Sequence, residues 1–176
     1  MSRGGLEIER KWLLATAPSD AELAVLGARP IAIEQVYLRP TTSAPVRRVR
    51  RSERDGRAGY TYTEKRQAAG IVREERERTI GAAEYARLLA EADPAFAPIR
   101  KTRHVFTYAG LVLELDVFDQ PAGLVLLEIE LERPDAPDPL LPPGLAVVRE
   151  VSEDPAFLNV NLARRLAGDR RGGSTS

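Results

Sequence analysis

The sequence predicts an α+β fold: a closed antiparallel β-barrel of about eight strands, forming a tunnel, with helices packed outside. Three observations lead there. Charged residues recur at every second position in six or more short segments, the period of a strand whose alternate side chains share a face. Within several pairs the sign is uniform, whereas solvated faces mix signs because like-charged neighbours repel. The positions between are largely apolar, and amphipathic helices are at hand to cover them. Closing the sheet satisfies both faces, with helices on the apolar side and the charged side lining an interior wide enough for one small ligand.

Each element has its own warrant. "GLEIERKWLL" (5–14) sets Glu7, Glu9 and Lys11 in one register against Leu6, Ile8 and Trp12 in the other. A helix begins near "PSDAELAVL" (18–26). "VRRVRR" (46–51) carries Arg48 and Arg50 about Val49, and "YTYTEKR" (60–66) aligns Lys65 with Thr61 and Thr63. "IVREERERTI" (71–80) has Arg73, Glu75 and Glu77 in one row and Glu74, Arg76 and Arg78 in the other. Charge on both faces marks an edge or a poorly covered strand. In "AAEYARLLAEA" (82–92), Tyr85, Leu88, Leu89 and Ala92 make one helical face. "IRKTRHVF" (99–106) gives Lys101 and Arg103. "LVLELDVF" (111–118) and "LVLLEIELE" (124–132) set Glu114 with Asp116 and Glu128 with Glu130, and the turn "DQPAG" joins them as a hairpin. After a Pro-rich loop (135–144), a last helix (154–168) opens with Asp154 as N-cap and Pro155 at the first helical position, and closes at Gly168. Residues 4–167 read as one domain and 168–176 as a disordered tail.

Composition narrows the chemistry. Acidic and basic residues number 26 each, so no global field draws the chain to nucleic acid or anionic lipid, and any phosphate recognition must come from local clustering. With no cysteine there is no disulfide, zinc–thiolate site or thiol nucleophile. One histidine, His104, excludes His-rich metal sites. No P-loop or nucleophile-elbow motif occurs. A metal must bind through carboxylate oxygens, which points to Mg²⁺, Mn²⁺ or Ca²⁺. The absence of an apolar signal region or membrane-length run gives a soluble, cytoplasmic protein as the expectation. Charges facing an interior cannot stay unpaired. A metal-chelated polyphosphate satisfies both signs at once.

The ordered motifs resemble the CYTH domain, the group that includes the triphosphate tunnel metalloenzymes. "EIERK" is similar to its ExExK motif, "RRVR" to its RxR strand, "YTEK" to TxK, "REERERTI" to RxExExxI and "IRKTRH" to KxR. "LELDVFDQPAGLVLLEIEL" resembles its acidic hairpin and "FLNVNLA" its C-terminal helix, with Phe157 where Tyr is frequent and Gln120–Pro121 where glycine is common. The resemblance implies an eight-stranded tunnel binding a triphosphate with divalent metal, Mg²⁺ or Mn²⁺. It also implies hydrolysis of inorganic tripolyphosphate to pyrophosphate and phosphate. The alternatives on the same scaffold are an adenylate cyclase or a thiamine or nucleoside triphosphatase, and outside catalysis a polyphosphate-binding module. No nucleic-acid or membrane partner is expected, and a homodimer is compatible with the sequence.

The roles follow residue by residue. Glu7, Glu9, Glu128 and Glu130 are expected to hold metal, with Glu114 and Asp116 completing the acidic wall. Lys11, Arg48, Arg50, Lys65, Arg73, Lys101 and Arg103 are expected to bind phosphate oxygens, arginine through its planar fork and lysine as a point charge. The catalytic set is Glu7, Glu9, Lys11, Glu128 and Glu130, acting through a metal-activated water because no protein nucleophile is evident. Glu75 and Glu77 read as residues that orient neighbouring arginines, and stand as second choices for holding metal. Arg47, Arg51, Arg66 and Arg100, in the opposite register, read as surface ion pairs. His104 reads as structural or exposed, and Trp12 and Phe118 as outer-face packing.

Overall fold

The computed structural model describes residues 2–42, 44, 46–69, 72–133 and 135–172, with side chains described except at 2–7, 66–69, 72–74 and 171–172. Nine strands form one antiparallel sheet: β1 (Ser2–Leu14), β2 (Arg29–Leu38), β3 (Val46–Arg54), β4 (Arg57–Ala69), β5 (Val72–Ile80), β6 (Ile99–Tyr108), β7 (Leu111–Phe118), β8 (Val125–Glu130) and β9 (Val147–Glu150). Their order is β5-β4-β3-β2-β6-β7-β8-β1-β9, with a further β5–β1 pairing. The count corrects the expected eight, and the order has two ends, β5 and β9, rather than closing as a simple ring. In the further pairing, Ser2–Ile8 of β1 meets Val72–Arg78 of β5.

Two strands carry no alternating charge, and that is why the charge pattern does not announce them. In β2 the row that faces the charged side is Ile31, Ile33, Gln35 and Tyr37. Strand β9 is only four residues long, and it lies beside Trp12–Leu14 of β1. Arg10 pins it there through Glu150 (2.8 and 2.6 Å) and reaches Asp138 of the Pro-rich loop (2.5 Å).

The helices cover the apolar side and one end. α1 (Asp20–Val25) is set by a capping box in which Ser19 and Glu22 satisfy each other's backbone. Its Leu23 joins Ile8, Trp12, Phe106, Leu113, Leu115, Leu127 and Ile129 in one core cluster. α2 (Ala82–Leu89) packs Tyr85 and Leu88 on Val36, Leu38, Val49, Tyr62 and Ile80. The expected last helix divides into a 3₁₀ turn, Pro155–Phe157, and α3 (Asn159–Gly172). Asp154 caps the turn by accepting from the Ala156 amide (3.1 Å). Gly168 does not end α3: the helix runs on to Gly172, so the tail expected to be disordered from 168 is helical through 172, and 173–176 lie outside the described residues.

α3 crosses the end of the charged rows, where they turn apolar. Leu162, Ala163, Leu166 and Ala167 pack on Tyr37, Ile99, Phe118 and Leu126. Phe118 therefore lies in the row of Glu114 and Asp116, not on the outer face, and stacks near the Lys101 ammonium at 5.1 Å. Trp12 packs in the outer core as expected. No helix among the described residues is long and apolar enough to cross a membrane.

Candidate active site

Strand register brings the acidic rows together. Glu9 faces Glu130 and Lys11 faces Glu128 across β1 and β8, while Glu114 faces Glu128 across β7 and β8. Like charges opposite one another repel unless a cation lies between them. Lys11 supplies one, at 3.0 Å from Glu9 and 2.8 Å from Glu128. Arg103, brought opposite Asp116 by β6 and β7, supplies another. Its Nε and Nη2 each donate to Asp116 at 2.7 Å, Nη2 also donates to Glu128 at 2.6 Å, and Nη1 donates to Glu114. Lys101 donates to the same Asp116 carboxylate, which is wholly buried.

The pKa directions follow from this packing. Burial works to raise the Glu128 carboxyl, but Lys11, Lys101 and Arg103 outweigh it and hold it well below the usual range. Burial likewise opposes the charge on Arg103, yet Asp116 and Glu128 prevail and raise its pKa. For Lys101, burial and the nearby Arg103 prevail over Asp116 and push the ammonium down to about 8.

The opposite wall is basic. Arg48 and Arg50 project from β3 opposite Tyr37 and Gln35 of β2. Gln35, 1% exposed, accepts from Arg48 Nη1 (3.3 Å) and donates to the Tyr37 hydroxyl (3.1 Å). Sequence reasoning missed both, although an uncharged polar residue in the alternation of β2 is a usable signal. Glu75 lies 2.5 Å from Lys65 and 3.9 Å from Arg48. Glu77 accepts from Thr63 (2.9 Å) and lies 3.7 Å from Arg50. Burial, then Arg48, push Arg50 down to about 10, with Glu77 offsetting part of the shift.

Between the walls lies a cavity of about 510 Å³. Of the expected site residues, Glu9, Lys11, Arg48, Arg50, Lys65, Lys101, Arg103, Glu114, Glu128 and Glu130 line it. Asp116 sits behind Arg103 and Lys101 and does not. Glu7 and Arg73 are backbone partners across β1 and β5, and their side chains lie outside the described residues, as does that of Arg66. Arg47 is not the surface ion pair expected of it. It is 9% exposed and donates to the Tyr62 hydroxyl (2.8 Å), the Arg39 carbonyl (2.9 Å) and Glu91 (3.0 Å). Arg51 pairs with Glu53 and Arg100 with Glu34, away from the cavity. His104 is half-buried, and burial lowers its pKa.

The donor set suits a hard cation in chemistry, since its acidic atoms are carboxylate oxygens. Among the described residues no three His, Asp or Glu side chains converge to hold an ion; Glu9 and Glu130 make a cross-strand pair, with Glu7 two residues up the same row as Glu9. The described charges at the site nearly cancel. Lys11, Arg48, Arg50, Lys65, Lys101 and Arg103 stand against Glu9, Glu75, Glu77, Glu114, Asp116, Glu128 and Glu130, with the exposed Glu132 also lining the cavity.

Fold and site together define a class: an antiparallel sheet whose inner rows set a basic wall against an acidic one. The chain matches the CYTH domain over residues 5–165 and belongs to that family. It is similar to a structure of the inorganic triphosphatase NE1496, at 28% identity over 90% of this chain and 94% of that chain, with a TM-score of 0.55. The PH1819 protein from Pyrococcus horikoshii OT3 shares the fold, at 17% identity over 73% of this chain and 80% of that one, with a TM-score of 0.54. No curated protein matches the chain.

Proposed function

We propose that this protein hydrolyses inorganic tripolyphosphate to pyrophosphate and phosphate with a divalent cation, Mg²⁺ or Mn²⁺. In this reading the β5–β1 pairing joins the sheet around the cavity as a tunnel. The observation that carries it is the near-cancellation of charge between two opposed walls. A bare polyanion entering such a cavity gains little net attraction, because the carboxylates along both walls offset the cations it meets. A polyanion that arrives with its own cation matches both walls. Family membership and the likeness to NE1496 support the same reading.

The residues divide the work. Arg48, Arg50 and Lys65 bind phosphate oxygens on one wall, and Lys101 and Arg103 bind them where the walls meet. Glu9 and Glu130, with Glu7, would hold the cation. Asp116 is committed to Lys101 and Arg103, so its role here is to orient them. Glu128, between Lys11 and Arg103, sets the boundary between the walls. A bound Mg²⁺ or Mn²⁺ supplies charge neutralisation on the phosphate and a water of lowered pKa. The positioned cations stabilise charge on the leaving pyrophosphate as water adds to the terminal phosphorus.

Phosphate release from tripolyphosphate, ATP, thiamine triphosphate and pyrophosphate tests the reading. Tripolyphosphate is expected to be turned over at least about tenfold faster than ATP, the lower end of the discrimination that a few pocket contacts supply. Equal turnover of ATP contradicts the inorganic substrate, and cyclic AMP as the main product from ATP assigns the scaffold to a cyclase.

A further inference from the structure

Among the described residues, the buried polar atoms without a hydrogen-bond partner include two on neighbouring strands of the basic wall: Arg50 Nε and Thr61 Oγ1. They belong to cross-strand partners, since Arg50 of β3 faces Thr61 of β4 in the antiparallel ladder. Such partners hold their Cβ atoms about 5 Å apart on one face, here the face that carries Lys65 and Arg48 into the cavity. Two positions along, Thr63 makes the contrast. Its hydroxyl donates to Glu77 at 2.9 Å, whereas the Thr61 hydroxyl, in the same row, is left without an acceptor.

Leaving a buried donor unmade costs stability, and native structures rarely do so without reason. Arg50 adds a second indication. Its guanidinium has Glu77 at 3.7 Å, beyond hydrogen-bonding distance, and burial beside Arg48 disfavours its charge. A cation short of counter-charge next to an idle hydroxyl calls for an oxyanion.

We propose that Thr61 is a substrate-binding residue, its hydroxyl and Arg50 Nε donating together to one phosphoryl oxygen of the polyphosphate. The TxK match takes in Thr63 and Lys65 and leaves out Thr61. Both atoms are closed to solvent, so the oxygen reaches them as the Arg50 fork swings away from Glu77. The proposal deepens the reading of the cavity as a polyphosphate site and rests on it.

The test uses Thr61→Val, which keeps the shape and branching of the side chain and deletes the hydroxyl, and Thr61→Ser, which keeps the hydroxyl. The probe is a methylene-bridged inorganic triphosphate with Mg²⁺, titrated calorimetrically so that binding is read without turnover. Thr61→Val is expected to bind about tenfold more weakly, the size of a hydrogen bond to a charged group, and Thr61→Ser within about threefold of the original. Without ligand, Thr61→Val is expected to unfold at the same temperature or higher, because the deleted hydroxyl satisfied nothing. Unchanged affinity in Thr61→Val overturns the proposal alone, as does equal weakening in Thr61→Ser, which would assign the effect to packing. A lowered unfolding temperature for Thr61→Val also overturns it, since the hydroxyl then has an internal partner. Failure of the original protein to bind the probe overturns this proposal and the polyphosphate reading together.

Discussion

Arg103 gathers Glu114, Asp116 and Glu128 on one guanidinium, whereas Arg50 meets Glu77 at 3.7 Å. Both are phosphate-binding candidates, yet their removal should read out differently. Arg103→Gln leaves Asp116 and Glu128 buried with one cation fewer, and an uncompensated buried charge costs about 3–5 kcal/mol. Lys101 and Lys11 remain beside them, which places the expected loss near the lower end of that range. Arg50→Gln removes a charge that burial already disfavours, so stability should change by less than about 1 kcal/mol while the KM for tripolyphosphate rises about tenfold. Thermal unfolding alongside initial rates separates the two. A stable Arg103→Gln protein, or an Arg50→Gln protein that loses its fold and keeps its KM, would reverse these assignments.

At the scale of elements, β3 divides its arginines between two tasks by register alone. Arg48 and Arg50 face the cavity, while Arg47 faces outward and ties the strand to Tyr62 of β4 and to Glu91 just beyond α2. Arg47→Ala should therefore cost about 1–3 kcal/mol of stability through lost hydrogen bonds to a charged group, with the KM for tripolyphosphate and the Mg²⁺ requirement unchanged in the folded protein. A changed KM at unchanged stability would put Arg47 in the site. Strand phase was legible wherever like charges alternate, as on β1, β3, β6, β7 and β8. It was not legible on β2, whose inner row carries amide, phenol and aliphatic groups, and that strand holds Gln35 and Tyr37. The end of α3 escaped for another reason: a glycine marks a C-terminus only when packing lets the helix stop there.

At the scale of the whole molecule, the charged interior was legible because alternation and sign survive translation from sequence to register. Pairing was not. Nothing in spacing distinguishes an acid that holds a cation from one, like Asp116, that holds Lys101 and Arg103, because that depends on which strands become neighbours. The consequence of the pairing is a cavity whose described charges nearly cancel, and the proposed entry of polyphosphate together with its cation rests on that balance. The most direct measurement is the initial rate of phosphate release at fixed tripolyphosphate as Mg²⁺ is titrated upward from an EDTA-treated sample. The account predicts no release above background without metal and a saturable rise as Mg²⁺ is added. A rate in EDTA equal to that in Mg²⁺ would contradict it.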